Sequence, residues 1–149
     1  MEKQQKLVAA LENGSVIDHI PTDKLFTVAQ LLQLELCTEP VLIGNNLESQ
    51  VMGKKGIIKS AGKFFSEAEI SKLAVLCPNM RLTVIRNYEV AEKREIGLPE
   101  KLTNIVKCAN PVCITNNEPM KTVFYRKDIE TLKCRYCGKE QKLKDIKLK

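Results

Sequence analysis

The chain has 149 residues, 44% of them hydrophobic, and a formal net charge of +6. That length suits one medium domain or two small ones, and the apolar content excludes wholesale disorder. No apolar run approaches the ~18–20 residues of a membrane span, and the start MEKQQKL lacks an apolar signal segment, which predicts a cytoplasmic protein with no membrane partner.

The first apolar segment, KLVAALENGS, closes on the turn pair Asn13-Gly14. A strand, VIDHI, follows over residues 16–20 and stops at Pro21. It carries the only histidine, His19, beside Asp18. In a regular strand these two side chains face opposite sides, so they share a pocket only if the strand bends there. Thr22 or Asp23 is expected to cap a helix whose Leu25, Val28, Ala29 and Leu32 form one apolar face. The helix is expected to end before Pro40. VLIG (41–44) reads as a strand, residues 45–55 as a loop or hairpin connection, and GIIKS (56–60) as the returning strand.

Ser66 and Glu69 form a capping box, with Phe65 placed to staple onto Ile70. Ile70, Leu73, Ala74 and Cys77 then fall on one helical face, and Pro78 ends the helix. Cys37 and Cys77 read as small core or helix-end residues. RLTVIRNYEV (81–90) is the last strand, and the polar AEKREIGLPEK marks a domain boundary near residue 97. The order strand–helix–strand–strand–helix–strand predicts an α+β chain. Its N-terminal part is a ferredoxin-like (βαββαβ) antiparallel sheet with two helices, and a small, mostly-β metal domain follows. The expected domains are 1–97 and 98–149.

The second part contains C-x4-C-x20-C-x2-C: Cys108, Cys113, Cys134 and Cys137. Two close pairs of soft thiolates separated by a longer loop match a closed, tetrahedral, structural Zn²⁺ site. Two disulfides or four free thiols are the alternatives, and a cytosolic home disfavours the first. Strands MKTVFYRK and DIETLKC are expected to lead to Cys134. About 50 residues cannot sustain a core unaided, and a metal supplies what is missing. Residues 1–97 balance 12 Lys+Arg against 12 Asp+Glu, whereas 98–149 hold 12 against 6. This basic excess and the pair Phe124-Tyr125 fit a nucleic-acid-binding zinc ribbon. An aromatic content of 5% and the neutral first part speak against it. A single histidine, a closed metal site and the absence of a phosphate-cradling glycine loop or nucleophile motif argue against an enzyme.

In the inferred fold, Asp18 and His19 lie on the first strand, Lys59 on its neighbour and Lys93 just after the fourth. Two ammonium groups and an imidazole near one sheet would attract a polyphosphate, with Val16, Ile85 and Val90 flanking a base or ribose.

GSVIDHIP, MGKKGIIK, IRNYEV followed by Lys93, LPEKLTNIVKC and LKCRYCGKE together resemble the regulatory chain of aspartate carbamoyltransferase over nearly the whole sequence. The resemblance implies a non-catalytic chain of pyrimidine biosynthesis, with an allosteric nucleotide-binding domain and a four-cysteine zinc domain. It implies CTP, ATP and UTP as effectors, one structural Zn²⁺, a catalytic chain as partner, pairing of the chain with itself, and no nucleic-acid partner. By the same resemblance, Lys93 and His19 would meet the phosphates, with Lys55 near that end. Lys59 and Asp18 would hold the ribose and base region beside Val16 and Val90. Backbone at Ala10, Leu11, Ile85 and Tyr88 would read the base edge. Thr83 stands where better-known members carry asparagine, and Ala9 where they carry glutamate.

Overall fold

The computed structural model describes residues 11–149. The opening apolar segment as far as Ala10, Ala9 included, lies outside the described residues. The chain forms two compact units, one running to Ser66 and including Asn79–Ile96, the other combining Glu67–Pro78 with Gly97–Lys149.

The first unit is built on a five-stranded antiparallel sheet. Its strands are β1 (Gly14–Ile20), β2 (Val41–Ser49), β3 (Gly53–Ala61), β4 (Met80–Arg86) and β5 (Glu89–Ile96), in the order β2-β3-β1-β4-β5. The first four follow the ferredoxin-like order, and β5 is an added edge. One face is the core: Ile17, Ile58, Met80 and Leu82 are buried, alternating with outward residues as a half-buried strand requires. Helix α1 (Leu25–Leu31) covers it, with Leu25 and Val28 fully buried. A Cβ on Gly56 would lie 2.9 Å from Leu25 Cδ1, so glycine is what lets α1 approach β3 this closely.

Several local expectations change. Neither Thr22 nor Asp23 caps α1: the N-cap is Lys24, without a side-chain cap bond, because Lys24 N–H is taken in a turn to Pro21 O at 2.9 Å. The helix stops early, since Gln33 turns left-handed at φ 54° before a 3₁₀ turn at Leu34–Leu36. Residues 45–55 are mostly strand, the hairpin staying paired as far as Ser49↔Gly53. The single strand expected over 81–90 is two strands. Asn87 (φ 53°) and Tyr88 (φ 65°) are both left-handed, the conformation of a tight two-residue hairpin turn. The segment expected to be a polar linker is therefore β5.

In the second unit, β6 (Lys101–Thr103), β8 (Val123–Arg126), β9 (Thr131–Cys134) and β10 (Glu140–Lys142) form one sheet in the order β10-β9-β8-β6. Strands β7 (Val106–Lys107) and β11 (Lys147–Leu148) form a second. Phe124, Leu102, Leu132 and Val106 make the small core. Thr122 Oγ1 donates to Val106 O at 2.6 Å, satisfying a carbonyl inside it. Helix α2 (Glu67–Leu76) ends before Pro78 as expected and packs on a 3₁₀ turn at Leu143–Asp145. Phe124 is fully buried, so of the aromatic pair only Tyr125 reaches the surface.

Truncating Leu25 to Ala removes a fully buried side chain from the interface of α1 with β3. The expected loss is about 2–5 kcal/mol, read as a lower urea midpoint with unchanged metal content.

Candidate metal centre and open sheet face

The four cysteines converge from three places. Cys108 follows β7 and Cys113 precedes the one-turn helix α3 (Ile114–Asn117), while Cys134 ends β9 with Cys137 in the turn beyond it. Local hydrogen bonds shape both loops. Asn110 accepts from Val112 N at 3.1 Å through its side chain and from Cys113 N at 3.0 Å through its carbonyl. The second loop is a knuckle in which Gly138 N donates to Cys134 O and Cys134 N to Lys139 O, each at 3.0 Å. Gly138 sits at φ +75°, where glycine is favoured.

All four Sγ atoms lie within 4.8 Å of one another, with Cys108···Cys137 at 3.5 Å and Cys113···Cys134 at 3.8 Å. A tetrahedral metal with thiolate bonds of ~2.3 Å spaces its sulfurs by ~3.8 Å, so the cage has the right size. The separations far exceed a disulfide bond of ~2.05 Å, and all the cysteines are free, which sets the disulfide alternative aside. Cys108, Cys113 and Cys134 are buried and Cys137 is exposed.

Burial pushes the Cys108 thiol up to about 12, against the Asn110 backbone N–H that draws it down. Burial likewise raises Cys134. At Cys137 burial also acts upward, but the Lys139 backbone, the Asn110 side chain and the neighbouring thiols outweigh it, and the pKa falls to about 7. Three buried thiols and a fourth beside them are a costly arrangement without a cation, and a bound divalent ion would reverse it by favouring thiolate.

Sequence reasoning missed the residues that brace this cage. Asn116 Nδ2 donates to Cys108 O at 2.9 Å and Asn110 O at 2.8 Å. Asn117 Nδ2 holds Pro111 O at 3.1 Å and Cys113 O at 2.9 Å. Thr115 Oγ1 lies 3.2 Å from Cys113 Sγ, and the buried Gln141 accepts from Ala109 N at 3.1 Å. Only the run of asparagines after Cys113 hinted at them.

The first unit offers a different kind of site. Register aligns Lys59 with Val16, Val16 with Thr83 and Thr83 with Lys93. These four residues therefore form one lateral row across β3, β1, β4 and β5, on the face away from α1. Lys93 is exposed and the other three are half-buried. The next row joins Gly14 to Ile85 and Ile85 to Val90, with Leu11 Cδ2 3.0 Å from where a Cβ on Gly14 would sit. Tyr88 N–H donates to Glu12 O at 2.9 Å and Asn87 N–H to Asn13 Oδ1 at 3.2 Å, pinning the left-handed turn to the chain that enters β1.

At the other end of the face β1 bends. Its pairing with β3 shifts between Ile17 and Ile20, and His19 sits at φ 60°. The bend breaks the alternation and brings His19 Nδ1 to 3.7 Å from Asp18 Oδ2. Lys55 is buried and its ammonium forms an ion pair with Asp18 at 2.9 Å. His19 Nδ1 is buried with no hydrogen-bond partner. Burial holds the His19 pKa below its ordinary value, with Arg81 and Lys55 adding to the effect and Asp18 and Glu95 opposing it. Burial also lowers Lys59. Arg81 and Glu95 complete a row with Asp18. Glu95 escaped sequence reasoning because β5 had not been read as a strand.

The chain thus joins an open sheet face bearing several cations to a unit built around a four-cysteine cage of metal-binding size. Two family models match. "Aspartate carbamoyltransferase regulatory chain, allosteric domain" covers residues 6–97, and the metal binding domain of the same chain covers 100–147. Among similar proteins, the aspartate carbamoyltransferase regulatory chain of Phocaeicola vulgatus is 59% identical over 98% of this chain and 96% of its own length. That of Bacteroides fragilis is 58% identical over 97% and 95%, and that of Pyrococcus abyssi 40% over 93% and 94%. The chain belongs to the aspartate carbamoyltransferase regulatory chain family: a non-catalytic chain of pyrimidine biosynthesis with an allosteric domain and a four-cysteine metal-binding domain.

Replacing Cys134 by Ser should reduce bound metal to below half an equivalent by elemental analysis. Amide exchange should rise across β8 to β10 while β1, β3 and β4 stay protected, because only the second unit depends on the ion.

Proposed function

We propose that residues 1–97 form an allosteric domain that binds the nucleoside triphosphates CTP, ATP and UTP on the open sheet face. Residues 98–149 then form a zinc domain that attaches the chain to the catalytic chain. The family matches support this division, since one ends at 97 and the other resumes at 100. The single observation that carries the nucleotide reading is the row Lys59–Val16–Thr83–Lys93, two ammonium groups flanking an apolar and a hydroxyl side chain. His19 and Lys93 meet the phosphates, and the unpartnered Nδ1 of His19 is a ready contact for an anionic oxygen. Lys55 supports that end through its pair with Asp18. Val16, Ile85 and Val90 flank the ribose and base. The edge of the base is read at Tyr88 and Leu11, together with Ala10 outside the described residues.

The triphosphate is common to all three effectors, so the cations give affinity more than discrimination. A ligand shifts a conformational equilibrium only by binding its states differently, and that difference must come from the base. Typical coupling is about 1–3 kcal/mol. Thr83 is shorter than the asparagine of better-known relatives and sits mid-row, so it sets which base is preferred.

Zn²⁺ is the ion that four thiolates in tetrahedral array select. Self-association is assigned to β2. Among the described residues both sheet edges are unpaired, but β5 carries Glu89, Glu92, Lys93, Arg94 and Glu95, whereas β2 exposes Leu42 and Ile43. Charged edges resist pairing, and the β2 edge does not. Among the described residues no helix is long and apolar enough to cross a membrane, which agrees with a cytoplasmic role.

The decisive experiment mixes the chain with a catalytic subunit and assays carbamoyl transfer with and without each nucleotide. Effector-dependent activity is expected, and its absence with every nucleotide would refute the reading. Lys93→Ala should weaken CTP and ATP alike, by roughly tenfold each in calorimetry, in line with loss of a charge-assisted contact. Retention of either affinity would break the proposed division of labour. His19 is held neutral in the free chain and gains a proton beside phosphate, so nucleotide affinity should rise as pH falls from 8 toward 6. His19→Gln should flatten the part of that dependence that does not come from the nucleotide's own titration.

A further inference from the structure

Strands β7 and β11 pair with Lys107 directly opposite Lys147. Directly opposed residues project from the same face with Cβ atoms ~4.5–5.5 Å apart, and like charges there are destabilising. The two lysines do not point into open water alone. Both are exposed, and both line a cavity of about 420 Å³ together with Cys108, Ala109, Pro111, Asn116, Gln141 and Asp145. Among the described residues, no ion pair joins either ammonium to a carboxylate, Asp145 included.

The wall of this cavity is held in place by the bonds that brace the cysteine cage. Gln141 is 7% exposed and commits its Oε1 to Ala109 N–H, which turns its Nε2 donors the other way. Asn116 spends its amide hydrogens on Cys108 O and Asn110 O. Ala109 and Pro111 add a short apolar wall. The cavity therefore offers two cations, an amide donor and, at Ala109 and Pro111, a surface for a methylene stem, with Asp145 and Cys108 also on its lining. An apolar wall beside two ammonium groups fits a carboxylate carried on a methylene stem better than a phosphate, which has no apolar part.

We propose that this cavity is the receptor for an acidic side chain of the catalytic chain, an Asp or Glu whose carboxylate enters between Lys107 and Lys147. The inference rests on the partnership proposed above and adds its chemistry. An inserted carboxylate relieves the repulsion across the β7–β11 ladder, so the contact is stronger than an isolated surface ion pair. Lys107 immediately precedes Cys108, so the proposed contact lies next to the cage.

The test uses the full-length, metal-loaded chain and its catalytic subunit, with association followed by sedimentation or interferometry over a range of salt. Lys107→Gln with Lys147→Gln should weaken association at least tenfold and make it less salt-dependent, with metal content and circular dichroism unchanged. The corresponding Lys→Arg variants should restore it. Asp145→Asn should act oppositely, tightening association. If wild type assembles and the double Gln variant assembles equally well with the same salt dependence, the cavity assignment is wrong while the partnership stands. If wild type does not assemble at all, both fail. A parallel calorimetric titration with inorganic phosphate covers the other source of negative charge. Saturable phosphate binding lost in the double variant, with assembly untouched, would assign the cavity to a free anion and overturn the proposal.

Discussion

The register of one central strand governs the first unit. β1 is hydrogen-bonded on both sides, to β3 and β4, and its pairing decides which residues stand on each face. A slip by one residue would send Ile17 to the open side and Val16 into the core. The buried Ile17, Ile58 and Leu82 under α1 exclude that slip by hydrophobic burial. Most of the cationic row on the opposite face is thus a by-product of packing the core correctly: Lys59, Val16 and Thr83 stand there because their sequence neighbours Ile58, Ile17 and Leu82 are buried, and Lys93 joins them through the pairing of β5 with β4. No contact among the four is required to bring them together.

The second unit solves a different problem. Its core is small, with Phe124, Leu102, Leu132 and Val106 at its centre, and its strands run from two to four residues. Such short ladders and so small a core offset little of the chain entropy lost on folding, so the cysteine cage substitutes for core volume. The braces around it follow from that. Asn116 and Asn117 use side-chain amides to hold loop carbonyls, which places the thiols before an ion arrives and lowers the ordering needed on binding.

Much of this was legible in the residues. The cysteine spacing identified the cage because two close thiolate pairs separated by a longer loop match the ligand pattern of a tetrahedral metal site. Helix α2 announced itself through its apolar period and Pro78. What stayed hidden was structure that departs from burial patterns. β5 reads EVAEKREI and is mostly exposed; an edge strand with charges along much of its length shows no alternation of hydrophobicity. The turn before it uses Tyr88 at a positive φ that bulky side chains rarely adopt, so no turn signal marked it. The bend at His19 was foreseen only as a condition for Asp18 and His19 to meet. The ion pair of Lys55 with Asp18 joins residues 37 apart in sequence, and no local pattern encodes it.

The cage is not symmetrical toward its surroundings. Three of its corners are walled in and Cys137 alone stands at the surface. That corner is where solvent, an oxidant or a competing chelator first meets the cage, so chemical attack on the four thiols is expected to begin at Cys137 and to reach the walled-in three only after it.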